Sequence, residues 1–414
     1  MTQHDRSLTG MGACRLCSGP VREFFDFGRQ PVSDAFRDPA DTSPEFHYDL
    51  RIGVCGGCAM VQQLTEVPRA QMFHSEYPYR SSLSSGSRKH FEAYAHHLLD
   101  TRLAGADPFV VEIGCNDGVM LRTIGGAGVR HLGFEPSGGA ADSARAAGVS
   151  VVVDFFEERT ARAARAEHGP ADVVFSANTV SHIAYLDSIF AGVDALLAPD
   201  GVFVVEDRYL GDIVANTAFD QVYDEHFYLF SVTSVRNLAR RFGFELVDIT
   251  RLPVHGGTIR FTIARAGAEP SAAVTERLHA EQAGGLADPA TLEAFGGRVR
   301  HARDELVALL RGLRAEGRSV VGYGATAKSA TTINYCGITP ELVPYICDST
   351  PEKHGKLAPG SGIPVRSSSA FAEPYPDYAL LFAWNHTEEI LAKEHAFTEA
   401  GGRWITYVPE VRVI

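Results

Sequence analysis

The stretch VVEIGCNDGVML, residues 110–121, decides the fold. An apolar run interrupted only by Glu112 leads straight into Gly114, Asn116, Asp117 and Gly118, and a helix-like pattern follows. A buried strand that turns sharply into a helix is the opening unit of a doubly wound α/β sheet, and ligands bind such sheets at this turn. Gly114 and Gly118 allow the turn and let the backbone pass close to a bound molecule. The loop is not G-x-G-x-x-G and holds no basic residue. Its acids, Glu112 and Asp117, would repel a pyrophosphate and attract an ammonium group.

The neighbouring segments repeat the pattern. HLGFEP, VSVVVDFF, ADVVFSAN and GVFVVED are apolar runs that end in polar residues, as parallel strands buried on both faces do. FELVDITRLPVHGGTIRFTIAR reads as two strands joined without a helix, an antiparallel hairpin closing the sheet. The strand ends carry more chemistry. Glu135 is placed to bind both hydroxyls of a ribose, Asp154 and Phe155 suit an adenine amino group and ring, and Ala177 and Asn178 follow the fourth strand. With the first loop, these match the order of S-adenosylmethionine contacts in class I methyltransferases.

At the N-terminal side, Cys14-x-x-Cys17 and Cys55-x-x-Cys58 form two pairs, and Cys115, Cys336 and Cys347 are scattered. Two such turns complete a closed tetrahedral site, for which zinc in a structural role is the preferred ion. A redox disulfide would need a helix after the pair, which CSGPVREFF does not supply. Zinc would hold together a segment too small for an adequate core of its own. The net charge of −13 argues against general nucleic-acid binding. No apolar run is long enough for a membrane span and MTQHDRSLTGMG lacks a signal-peptide core, so the expected location is the cytoplasm.

A chain of 414 residues exceeds one core. The expected units are a zinc-binding segment at 1–72, a methyl-donor domain at 73–265, a linker and helix at 266–317, and a second Rossmann-like α/β domain at 318–414. The linker helix is predicted from Phe295, Val299, Ala302, Leu306, Leu309 and Leu313, which share one face. VVGYGATAKSATTINYCG, in the last unit, is a strand, a Gly-rich turn and a helix. Gly324, Thr326, Lys328 and Ser329 suit a diphosphate, with Asp348 and the basic Lys353, His354 and Lys356 further on. The same pattern also fits a nicotinamide dinucleotide, with Asp348 on its ribose.

YDEHFYLFS, residues 223–231, sets Tyr223, Asp224, Glu225 and His226 before an apolar stretch. Alone it reads as a capped helix or a core histidine; beyond the fifth strand of this sheet it reads as both a capped helix and a catalytic cluster, its aromatic half anchored in the core. Taken in order, both cysteine pairs, EIGCNDG, YDEHFYLFS, HGGTIR, GYGATAKSATTINYCGI and DSTPEKHGKLAPGSGIPV resemble the sugar C-methyltransferases of nucleotide-deoxysugar pathways, the C-3 methyltransferases that decorate antibiotic sugars. The resemblance implies a cysteine-liganded zinc domain, a central S-adenosylmethionine domain and a C-terminal domain that helps hold a TDP-linked keto-deoxysugar. It places an active-site histidine on His226, a second on His182, and a tyrosine on Tyr77, with Tyr223 and Glu225 beside His226.

These residue types suit carbon methylation. A carbon next to a ketone is acidic only if a base takes its proton while the enolate oxygen is stabilised; histidine serves as the base without a large imposed shift. Glu225 would orient it or stabilise its cation, and Tyr223 or His182 would hold the oxygen. The rival expectations are NADPH-dependent ketoreduction at the C-terminal loop and a methyltransferase-like fold kept only for binding.

Overall fold

The structure is a computed structural model that describes residues 11–72, 80–372 and 374–414. Its first strands, β1 (Met11–Ala13), β2 (Pro20–Pro31), β3 (His47–Cys55) and β4 (Val61–Gln63), form an antiparallel meander. The two cysteine pairs occupy the turns between β1 and β2 and between β3 and β4.

The central sheet contains β5 (Phe109–Ile113), β6 (Arg130–Phe134), β7 (Val151–Val152), β8 (Ala171–Ala177) and β9 (Leu197–Arg208). After it comes β10 (Tyr228–Leu229), which leaves this sheet and pairs with β4 of the N-terminal meander. The chain then returns with β11 (Phe244–Leu252) and β12 (Thr258–Arg265). The order is β11-β12-β9-β8-β5-β6-β7, with β12 antiparallel to both of its neighbours. The expected hairpin is thus present. Every residue of β5 is buried, Glu112 included, which explains an apolar run that only this acid interrupts.

The C-terminal sheet holds β13 (Val320–Tyr323), β14 (Ile346–Asp348), β15 (Val365–Ser367), β16 (Tyr378–Leu381), β17 (Arg403–Thr406) and β18 (Arg412–Val413). The order β15-β14-β13-β16-β17-β18 is parallel except at β18.

Two expectations are corrected. The segment at 223–231 is not a helix: a single 3-10 turn at Phe219–Gln221 leads into a loop and β10, and Ser231 caps the helix that begins only at Val232. On the long helix Pro289–Ala315, Leu310 rather than Leu309 is fully buried beside Phe295, Val299, Ala302, Leu306 and Leu313. The 3.6-residue repeat brings Leu310 under Leu306, four positions earlier, and leaves Leu309 at the margin.

This helix also shows where the N-terminal sheet finds its core. Phe24, Phe25 and Phe27 pack in one apolar cluster with Leu292, Phe295, Val299, Leu306 and Leu310, and with Ile333, Ile346, Leu380 and Tyr407 of the C-terminal unit. The centroid of the Phe27 ring lies 5.3 Å from that of Tyr335. The cysteine-bearing segment therefore shares a core instead of relying on a metal alone.

Candidate active site

In a doubly wound sheet ligands gather outside the carboxyl ends of the strands, where the strand order reverses. The central sheet reverses between β5 and β8, and the C-terminal sheet between β13 and β16. The loops at both reversals line one cleft of about 620 Å3: Gly114 and Asn116 after β5, Ala177 to Thr179 after β8, Gly324 to Lys328 after β13, and Ala383 and Asn385 after β16.

On the central side Glu112, Gly114, Asn116, Glu135, Phe155, Ala177 and Asn178 are on the cleft wall. Gly114 has φ +71, and a Cβ there would lie 2.4 Å from Thr179 Oγ1, so only glycine fits. Asn116 and Asn178 both hold φ +50, the left-handed region that asparagine tolerates better than most residues. Glu135 accepts the amides of Asn116 (3.0 Å) and Ser137 (2.8 Å), which fixes the shape of the first loop. The Oε2 atom of Glu112 is buried without a hydrogen-bond partner among the described residues. Burial, reinforced by Asp117 and Glu135, pushes its carboxyl well above the usual range. An ammonium group entering beside it would let Glu112 ionise and pair, so the loop fits an amino-acid-bearing ligand such as S-adenosylmethionine.

Three residues of that set stand off the wall. Asp117 Oδ2 accepts the Ser82 amide at 3.2 Å, and Gly118 is the N-cap of the helix Val119–Gly126. Asp154 turns to Arg159, 3.0 Å away, and accepts the Phe155 amide.

On the C-terminal side Gly324, Thr326, Lys328 and Asp348 line the cleft, joined by Lys353, whereas Ser329 and Lys356 do not. Ser329 is buried and donates its hydroxyl to Thr326 O at 2.6 Å. Lys328 Nζ lies 2.7 Å from Asn385 Oδ1, 3.8 Å from Asp220 and 3.9 Å from the Trp384 ring centroid. Burial lowers its pKa to about 8, with Asp220 acting against the shift. Asp348 spends both oxygens on its own chain, accepting the amides of Ala325 and Thr350 at 2.7 Å each.

The loop from Asp220 to His226 joins the two halves. Tyr223 and Glu225 are on the wall, as is His182 after β8; His226 lies one layer behind, 1% exposed. The His226 ring centroid is 4.0 Å from that of Tyr223 and 5.3 Å from that of His182. Its Nδ1 faces the carbonyl of Gln221, so this nitrogen carries the proton and Nε2 offers a lone pair. Nε2 has no hydrogen-bond partner among the described residues. Burial, and then the charge of Arg208, pulls His226 well below the usual histidine range and His182 down to about 3. Both imidazoles are neutral. Tyr77 lies outside the described residues.

Sequence reasoning missed the groups that hold this loop. Gln63 Nε2, from β4, donates to the carbonyls of Tyr223 (2.6 Å) and His226 (2.9 Å). Asp224 Oδ1 accepts the Ser33 amide at 2.9 Å. From the C-terminal unit, Trp384 Nε1 and the Tyr407 hydroxyl donate to Asp220 Oδ2 at 2.7 and 2.6 Å, and the Thr331 hydroxyl donates to Val222 O at 2.7 Å. Also missed were Arg208 and His255, both on the wall. The polar end of GVFVVEDR was the available sign of Arg208; the partners of Gln63 lie too far along the chain to leave one.

The four cysteine sulfurs all lie within 4.8 Å of one another, with Cys14 to Cys58 at 3.6 Å and Cys17 to Cys55 at 3.4 Å. Tetrahedral Zn–S bonds of about 2.3 Å put sulfurs about 3.8 Å apart, so the set fits zinc. The amides of Leu16, Gly19 and Gly57 point at sulfurs from 3.3–3.4 Å, as thiolate ligands require.

Comparison with known proteins agrees along the chain. Family models for a zinc binding domain, a methyltransferase domain and a C-methyltransferase C-terminal domain match residues 14–73, 87–249 and 253–409. The C-methyltransferase NovU of Streptomyces niveus is 34% identical over 405 residues, covering 97% of this chain and 96% of the relative. Among solved structures, the CcbJ methyltransferase of Streptomyces caelestis is 19% identical, covers 43% of this chain and 90% of its own, and has a TM-score of 0.34. Magnesium protoporphyrin IX methyltransferase of Synechocystis PCC 6803, solved with bound S-adenosylmethionine, is 13% identical over 44% of this chain and 80% of its own, at 0.33. These two overall similarities are too low to bear on the fold, which rests on the strand order and the family models.

Proposed function

Given that the chain belongs to the S-adenosylmethionine-dependent C-methyltransferases with an N-terminal zinc domain, we propose that it methylates C-3 of a TDP-linked keto-deoxysugar. The single cleft shared by the strand ends of two sheets, with a histidine–tyrosine–carboxylate loop between them, carries this reading. S-adenosylmethionine, when bound, supplies the electrophilic methyl group. Glu112, Gly114, Asn116 and Glu135 hold it, with Phe155, Ala177 and Asn178 at the strand ends beyond. Lys328 and Lys353 meet the sugar nucleotide's diphosphate, with Gly324 and Thr326 giving it room.

His226 is the proposed base. Its proton on Nδ1 is held by Gln221 O, so Nε2 is the atom that receives the substrate's proton. His182 and Tyr223 line the cleft beside it, their ring centroids 5.3 and 4.0 Å from its own, and either can hold the sugar's oxygen. Glu225 offsets the positive charge that the imidazole gains. Buried neutral imidazoles are ready to accept a proton but hold it weakly, so the site must also stabilise the enolate strongly.

The test is to incubate the purified protein with S-adenosylmethionine and a TDP-linked 4-keto-deoxyhexose and follow the sugar by mass and NMR. A gain of one CH2 unit on the ring carbon is expected; a gain of two hydrogens with NADPH would mean ketoreduction instead. Asp348, whose carboxylate is already taken by two backbone amides, disfavours the dinucleotide reading. His226→Asn is expected to lose about 10²–10⁴-fold in turnover, the usual range for a positioned base. Unchanged turnover would leave the binding-module reading standing.

A further inference from the structure

Arg208 is the last residue of β9 and lies on the cleft wall with His182, Tyr223, Glu225 and His255. Its side chain is partly buried, 13% exposed, and its charge is poorly matched. The adjacent carboxylate, Asp207, is 3.8 Å away at the nearest approach. Asp207 is already committed: Oδ2 accepts the Ser181 amide at 3.1 Å, while Oδ1 accepts the Ser181 hydroxyl at 2.9 Å and the Arg208 amide at 3.0 Å. Among the described residues the guanidinium makes one side-chain hydrogen bond, from Nη1 to the Asn178 amide oxygen at 3.2 Å. Its Nε–H is buried with no acceptor among the described residues. A buried cation with an unmet donor is costly unless a ligand completes it.

The surroundings identify that ligand's chemistry. His182, His226 and His255 are all kept neutral, so they add no competing charge, and Arg208 is among the causes of each shift. Both Glu112 and Glu135, by contrast, face the methyl-donor loop. The charge of Arg208 thus acts on each of the three imidazoles, whereas Lys328 is held by Asn385 and Asp220 on the C-terminal side.

We infer that Arg208 is a catalytic residue, the donor that binds the sugar's ketone oxygen and holds the enolate formed there. This rests on the C-methylation reading above. The α C–H bond breaks, its proton goes to His226 Nε2, and its electron pair moves through the C–C bond onto the oxygen facing the guanidinium. When the pair returns to form the new C–CH3 bond, the electrons of the broken S–CH3 bond stay on sulfur. Arginine suits this position because it stays protonated at every working pH and presents directed N–H groups. A nearby fixed charge also makes the carbon acid stronger, which compensates for the weak bases that the same charge creates.

The experiment is α-proton exchange of a TDP-linked 4-keto-deoxyhexose in D2O, read by NMR without S-adenosylmethionine, together with steady-state methyl transfer. Wild type should exchange the α proton. Arg208→Gln and Arg208→Ala should slow both exchange and kcat by about 10²–10³-fold, the usual loss for one oxyanion donor. S-adenosylhomocysteine and TDP affinities and the thermal midpoint should stay near wild type, and guanidinium chloride should partly rescue Arg208→Ala. Full exchange and kcat in Arg208→Gln would overturn the inference. So would a rise in KM for the sugar nucleotide at unchanged kcat, which would make Arg208 a phosphate anchor. If wild type neither exchanges nor methylates, the functional reading itself fails.

Discussion

At the residue scale, chemistry was legible where rare side chains cluster in a short window. The cysteine pairs, the first loop with Glu112, and the group around His226 announce themselves because acids and histidines are seldom placed beside buried strands without purpose. Arg208 and Gln63 did not, and the Ser33 partner of Asp224 was hidden, since their meaning depends on residues far away; Gln63 and Tyr223 are 160 positions apart. Two of the groups make pH-dependent predictions. Lys328, lowered to about 8, is charged below that pH and neutral above it. TDP binding by calorimetry should therefore weaken as pH rises through about 8, and Lys328→Met should bind weakly with a flat profile in that window. Asp224 is raised to about 7 by burial, against the Ser33 hydrogen bonds that lower it. A raised carboxyl contributes fully to the folded state below the ordinary carboxylate range of about 4, and that contribution is lost progressively as pH climbs from there through about 7. Asp224→Asn keeps the acceptor for Ser33 and removes the titration. It should raise the thermal midpoint at pH 8, raise it less at pH 5, and leave it nearly unchanged only below about pH 4, the ordinary carboxylate range.

At the scale of elements, the strands of both α/β sheets were readable from continuous apolar runs, and the hairpin from the missing helix between β11 and β12. The two-residue β10 was not, because nothing local distinguishes it from the end of a capped loop. Its pairing is tertiary: Tyr228 opposite Gln62 and Leu229 opposite Val61. Through β4 and Gln63, the turn ligated by Cys55 and Cys58 supports the very loop that carries Tyr223, Glu225 and His226. Removing zinc with a chelator should lower methyl transfer by about tenfold or more, since each lost buried hydrogen bond costs about 1–3 kcal/mol. S-adenosylhomocysteine binding should be affected far less, because its loop belongs to the central sheet. Calorimetry beside the turnover assay checks both; equal losses would mean that the metal supports the whole fold rather than the loop.

At the scale of the whole molecule, the expected succession of units along the chain conceals how they pack. The central sheet lies within 73–265 and the C-terminal sheet within 318–414, while the first sheet takes four strands from the N-terminal segment and one from 228–229. Among the described residues no helix is long and apolar enough to cross a membrane. The helix Pro289–Ala315 inserts one apolar face between the two ends of the chain, and its Gly296 meets Phe25 so closely that a Cβ would lie 2.7 Å from the ring. No local pattern could reveal that contact, since a helix face looks the same whatever it covers. Leu306→Ala should cost about 2–5 kcal/mol. Hydrogen exchange should then show β2, β3 and β13 losing protection together while β5 and β8 keep theirs.

The shared core also sets a rule for building hybrids. Exchanging only the C-terminal unit for that of a relative, to accept a different sugar, would cut through Phe25, Phe27, the long helix and Tyr335 at once. A graft that keeps its shape must carry the zinc-bearing sheet and the long helix together with the C-terminal unit, and leave the methyl-donor sheet as the exchangeable cassette between them.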